Sequence, residues 1–189
     1  MVQQLVKFRL LIIVGFCACN SPDTPIDDGK KPAVTKPVAV PSFNKDSAYS
    51  FIEDQVNFGP RVPGTKPHYN TFLYLRNWLN KFCDTTYVQS ASAKTFDNKT
   101  IPIYNLIGSF NPESKKRVLL CAHWDTRRMA DQDTERKEEA ILGADDGGSG
   151  VGVLMELART VSNNPLNAGI EIVFFDAEDQ GESGSPRPA

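Results

Sequence analysis

Val118-Leu119-Leu120-Cys121-Ala122-His123-Trp124-Asp125 decides the fold of this chain, because an unbroken apolar run ends directly on a histidine and an acid. Such a run, following the charged turn Lys115-Lys116-Arg117, suits a strand buried on both faces. Ile170 to Phe175 repeats the pattern and ends at Asp176. Between them, Gly150 to Val161 carries Val151, Val153, Leu154, Leu157, Ala158 and Val161 at the spacing of a helix packed on a sheet, stopped by Asn163-Asn164-Pro165. Strands alternating with helices, with polar residues at the strand ends, predict an α/β sheet whose site lies at the strand edge.

Upstream, Ala48, Phe51, Ile52 and Val56 recur at helical spacing before the punctuation Gly59-Pro60 and Pro63-Gly64. A second helix presents Tyr69, Phe72, Leu73, Leu75, Trp78, Leu79 and Phe82 as a broad packing face, opposite Asn70, Arg76, Asn77 and Asn80. Tyr87-Val88 and Ile101 to Ile107 read as strands separated by a turn at Asp97-Asn98-Lys99. No internal repeat is visible.

The 189 residues, 40% of them hydrophobic, suffice for one domain with a sizeable core. A formal net charge of -2 leaves no basic excess to hold a phosphate backbone, so nucleic acid is not an expected partner. Lys7 and Arg9, an apolar run from Leu10 to Ala18 and then Cys19 resemble an export signal with a lipoprotein-type cleavage site. Phe16 and Cys17 depart from that motif, and ordinary secretory cleavage is the alternative. Residues 20 to 42, rich in Pro, Asp, Lys and Thr, read as a tether. The expectation is an exported lipoprotein of the cell envelope, held to a membrane through lipid on Cys19. Of the remaining cysteines, Cys83 and Cys121 either pair or leave Cys121 as a small buried side chain in its strand.

His123 and Asp125 lie two apart on extended chain, so they leave one face, where a carboxylate orients a metal-binding imidazole. Alone, the pair is a weak signal, since a histidine at a strand end is more often structural. Asp145 and Asp146 precede Gly147, Gly148 and Gly150, which let backbone approach an ion closely; as an isolated pair they read as helix-capping acids. Glu178 and Asp179 follow a buried strand with Asp176 close by, either as an acidic loop or as a metal ligand beside a general base. Together the three segments make most of a zinc site.

In this order they resemble the zinc-dependent exopeptidase family that holds bacterial aminopeptidases and glutaminyl-peptide cyclotransferases. His123-Trp124-Asp125 matches its HxD, Gly143-Ala144-Asp145-Asp146-Gly147-Gly148-Ser149-Gly150 its aspartate loop, and Glu178-Asp179 its acid pair. The resemblance spans about residues 45 to 182. With Phe58-Gly59-Pro60-Arg61-Val62-Pro63-Gly64, His123 to Arg127 and Asp176 to Asp179, it is greatest to bacterial cyclotransferase-type members.

It implies an α/β fold, a mixed central β-sheet flanked by helices of the phosphorylase-hydrolase-like type, incomplete at the C-terminus. With the signal read over residues 1–19 and the tether over 20–42, the resemblance implies the N-terminal part of a catalytic domain over 43–182, and 183–189 reads as an irregular tail, either native or not. Asp146 and Asp179 would be zinc ligands and Glu178 the general base and acid. His123 would bind only a second zinc, and Asp125 would orient His123. Asp145 and Asp176 would be supporting acids.

In the cyclotransferase reading, which takes one zinc, an N-terminal glutamine of a peptide becomes pyroglutamate with release of ammonia. In the aminopeptidase reading, which takes two, Glu178 activates a water that attacks the first peptide bond. A third reading, from another class, is a tethered domain without catalysis. No histidine follows His123 to complete the ligand set, so the expectation is a truncated chain that binds zinc weakly and turns over little substrate.

Overall fold

The computed structural model describes residues 39–181; the signal, Cys19, the tether up to residue 38 and the tail from residue 182 lie outside them. The elements are α1 (Lys45–Asn57), α2 (Lys66–Phe82), β1 (Thr85–Lys94), β2 (Thr100–Phe110), β3 (Arg117–His123), α3 (Gly150–Asn163) and β4 (Gly169–Phe175). The four strands form one mixed sheet in the order β1-β2-β4-β3. β2 runs antiparallel to β1 and β4, whereas β3 runs parallel to β4. The β1–β2 hairpin is longer than the sequence expectation and turns at Asp97-Asn98-Lys99, where Asn98 takes a φ of 62°.

Caps set the helix starts. Asn44 Oδ1 accepts from the N–H groups of Asp46 and Ser47 at 3.1 and 3.0 Å, satisfying first-turn donors of α1. Thr65 caps α2, and Pro67 sits in the first turn where its missing N–H is harmless. Asn44 also donates its own N–H to the buried Glu156 of α3 at 3.0 Å. Asn44→Ala removes only the side-chain cap and is expected to cost about 1 kcal/mol, read as a lower urea midpoint at an unchanged slope.

Phe72, Leu75 and Leu79 of α2 and Val151, Leu154, Met155 and Ala158 of α3 meet Ile170, Ile172 and Phe174 of β4 in one core. α3 closes on α1 at Gly152, where a Cβ would lie 2.8 Å from the Ala48 carbonyl oxygen, so only glycine allows the approach. Among the described residues no helix is long and apolar enough to cross a membrane.

Two expectations are corrected here. β3 is not buried on both faces: Leu119 is 60% exposed and Cys121 is exposed. The reason is position, since β3 is an edge strand of the described sheet and the described helices build their core on one face of it. Cys121 is therefore no buried packing residue, and both it and the half-buried Cys83 are free thiols. Burial pushes the Cys83 thiol up to about 12, with Asp84 adding to it.

Candidate functional site

The ends of β3 and β4 are locked side by side. The Trp124 N–H donates to the Phe175 carbonyl at 2.9 Å, and the fully buried Trp124 ring stacks on His68 at 4.5 Å. His68 Nε2 lies 3.0 and 2.9 Å from the two carboxylate oxygens of Asp176, which also accepts the Tyr104 N–H at 2.7 Å. Burial pushes the Asp176 carboxyl up, and His68 works against it. Asp176 is thus a core anchor for both strand ends. His68 escaped the sequence reading, although it stands four residues before Phe72, on the apolar stripe of α2.

Ala177, at a φ of 61°, reverses the chain between the buried Asp176 and the exposed Glu178. The buried Asp125 holds the three residues after this reversal. It accepts the N–H groups of Glu178 and Asp179 at 3.0 and 3.2 Å and the Gln180 side-chain amide at 2.9 Å. Burial alone would raise its carboxyl, yet hydrogen bonds from His123, Gln180 and those N–H groups keep it below the ordinary range. Its Oδ1 also lies 3.5 Å from His123 Nδ1, so the carboxylate faces the imidazole while its shorter contacts order the acidic loop.

The glycine loop reaches the same place by backbone geometry. Gly143 and Gly147 take φ values of 60° and 82° on either side of an extended Asp146, whose side chain is 72% exposed. Arg61, fully buried, ties this loop to β3: Nε donates to the Trp124 carbonyl at 2.8 Å, Nη1 to Leu142 at 2.8 Å and Nη2 to Gly143 at 2.6 Å. Burial lowers the guanidinium to about 10, and Asp125 opposes that. A Cβ on Gly147 would collide with the Asp125 carbonyl oxygen as well as require left-handed backbone. Gly147→Ala is expected to destabilise the domain by about 1–3 kcal/mol, measured by thermal melting.

These elements open on a cleft of about 1150 Å³ lined by Arg127, Asp131, Asp146, Glu178 and Asp179. His123 Nε2 is 2.8 Å from Asp146 Oδ1, and Nδ1 is 3.9 Å from Glu178 Oε2. The Asp125 hydrogen bond leads in raising His123 to about 9, against its burial. Asp179 instead receives Arg127 Nη1 at 2.9 Å, while the rest of that guanidinium grips Asp131 at 2.9 and 2.6 Å. Among the described residues no three ligand side chains converge. The structure sets His123 against Asp146 and, at a longer distance, near Glu178, and leaves Asp179 facing Arg127.

The donor set nevertheless fits a zinc ion. Asp146 and Asp179 are of a ligand type that zinc takes, and His123 beside Asp146 is of another, open to a second ion. Asp179 is pushed up by burial, with the negative charges of Asp146 and Asp125 adding to the shift against Arg127. A cation relieves that crowding of like charge.

Residues 105–189 match the family described as Peptidase family M28. Glutaminyl cyclase of Tannerella forsythia is 47% identical, with a TM-score of 0.75 over 78% of this chain and 52% of that one. A Zn-dependent exopeptidase from Parabacteroides distasonis is 45% identical, with a TM-score of 0.76 over 80% of this chain and 53% of that one. Aminopeptidase YwaD of Bacillus subtilis is 33% identical over 49% of this chain and 18% of its own length. The chain thus spans about half the length of these solved structures, and less of the aminopeptidase. In sequence over residues 105–189 and in fold over the described domain, the chain resembles the zinc-dependent exopeptidases of Peptidase family M28, with aminopeptidases and glutaminyl cyclases among its relatives.

Proposed function

We propose that this domain supplies the acidic wall and the proton-transfer group of a glutaminyl-peptide cyclotransferase. The observation that carries the reading is the Glu178 carboxylate, 64% exposed on the cleft beside His123, in a chain 47% identical to a glutaminyl cyclase. Asp146 and Asp179 would hold zinc, which when bound polarises the substrate carbonyl. His123 would join only where a second ion is present.

Glu178 takes a proton from the α-amine of an N-terminal glutamine as the amine nitrogen bonds to the side-chain carboxamide carbon. The carbon–nitrogen bond of the carboxamide breaks, and Glu178 returns the proton to the departing ammonia. Asp125 keeps Glu178 in reach through the backbone N–H. The Arg127 contact holds one oxygen of Asp179 and leaves the other available to a cation.

The test is a chimera in which residues 43–181 replace the matched half of the Tannerella forsythia enzyme. Ammonia and pyroglutamyl product from Gln-initiated peptides are expected. Hydrolysis of Leu-initiated peptides without ammonia would instead favour the aminopeptidase reading, which the likeness to YwaD supports. Neither activity, with a folded chimera, would leave the non-catalytic tethered domain. The 189 residues alone are expected to bind zinc weakly and to turn over little.

Envelope localisation through lipid on Cys19 belongs to the same proposal. Palmitate labelling that survives Cys19→Ala would overturn it.

A further inference from the structure

The bend that turns Glu178 into the cleft stands on a non-glycine residue in left-handed backbone, Ala177 at a φ of 61°. Such a conformation persists only where its surroundings enforce it, and it gathers at functional sites. Two buried carboxylates enforce this one. Asp125 accepts the N–H groups of Glu178 and Asp179 beyond the bend. Asp176 accepts the N–H of Ala177 itself at 2.8 Å on Oδ1, and the Tyr104 N–H of β2 at 2.7 Å on Oδ2. Its own N–H donates to the Asn105 side-chain oxygen at 2.9 Å, so backbone and side chain of Asp176 are both fixed to β2. His68 fixes the carboxylate from the other side. The imidazole is fully buried on α2, 108 residues away in the chain. Nε2 reaches both carboxylate oxygens, while Nδ1 has no partner among the described residues. Its stack on Trp124, 16° from parallel, and the Tyr104 ring 5.7 Å away hold the imidazole plane. A core that needed only volume here would take a phenyl ring, since a buried polar group costs free energy unless its hydrogen bond is made.

We propose that His68 and Asp176 are a positioning pair for Glu178. The imidazole sets the carboxylate, the carboxylate sets the Ala177 bend, and the bend sets where the proton-transfer group stands. Neither residue touches substrate; both act through the backbone of the acidic loop. A misplacement of about 1 Å in a reacting group can cost about 10²-fold in rate, so a loosened bend is felt in kcat. The role given to Glu178 rests on the cyclotransferase reading, whereas the hold on the bend does not, so the two fail separately.

Three variants separate positioning from packing. His68→Gln keeps an amide donor near the place of Nε2. His68→Phe keeps the ring stack and removes the donor. His68→Phe combined with Asp176→Leu exchanges both partners for apolar shapes, a swap that can be nearly neutral for stability, so it folds even if His68→Phe alone does not. In the full 189-residue chain, amide hydrogen exchange at Ala177, Glu178 and Asp179 is expected to quicken at least about tenfold, relative to the β4 amides, in the double variant and in His68→Phe where it folds. His68→Gln should leave it little changed. In the chimera, kcat should fall at least about tenfold with the same substitutions, with KM little changed, and His68→Gln should recover most of the loss. A role in packing alone predicts faster exchange over α2 and β4 together, or a double variant whose bend stays protected; either result overturns the proposal. A loosened bend with unaltered kcat in an active chimera overturns it as well. Should the chimera be inactive, the cyclotransferase reading falls and the exchange at the bend alone decides the pair.

Discussion

Glu178→Gln is expected to slow pyroglutamate formation in the chimera by about 10²–10⁴-fold, the usual contribution of a positioned acid–base group. The amide keeps the shape of the carboxylate but cannot accept the amine proton at neutral pH. Because the proton moves only as the bond forms, the loss should appear in kcat with KM little changed. The side chain is 64% exposed, and the loop is held through the Glu178 backbone N–H by Asp125, so stability should change by less than about 0.5 kcal/mol. Zinc content should likewise be unchanged. A variant that retains activity within tenfold of the parent removes Glu178 from the chemistry.

Arg61→Ala carries the largest expected effect on stability, about 3–5 kcal/mol, the cost of stripping one partner from a buried charged network. The guanidinium serves the carbonyls of Trp124, Leu142 and Gly143 and faces the buried charge of Asp125. Its removal strands all of them together and leaves a void. For a domain stable by about 5–15 kcal/mol, that is a large share. Arg61→Lys should recover only part, since one ammonium cannot span carbonyls arranged for a planar fork. Urea unfolding measures both; a loss below about 1 kcal/mol would mean that the loop and the strand end are held by something else.

The elements whose burial is periodic were legible from residues alone. α2 and α3 show their apolar faces at three- and four-residue steps, and β4 shows an apolar run, because packing against one core imposes those periods. The three acidic segments were legible too, since carboxylates and an imidazole at strand ends and in glycine loops have few other uses in combination. β1 was read too short because its residues are largely exposed, and its pairing with β2 rather than a hydrophobic pattern defines it.

Whether an apolar strand is central or at an edge depends on which strands pair, and Val118 to Ala122 reads alike in both settings. Only the tertiary structure decided that β3 lies at the edge and Cys121 in the open. Only it turned Asp179 toward Arg127, placed His68 under Trp124 and made Arg61 a buried clamp. Local periodicity and spacing are written within a few residues, and the sequence by itself determined the α/β class and the candidate acids. Contacts such as Arg61 to Gly143 or His68 to Asp176 join residues far apart in the chain. Their partners exist only once the sheet order has brought them together.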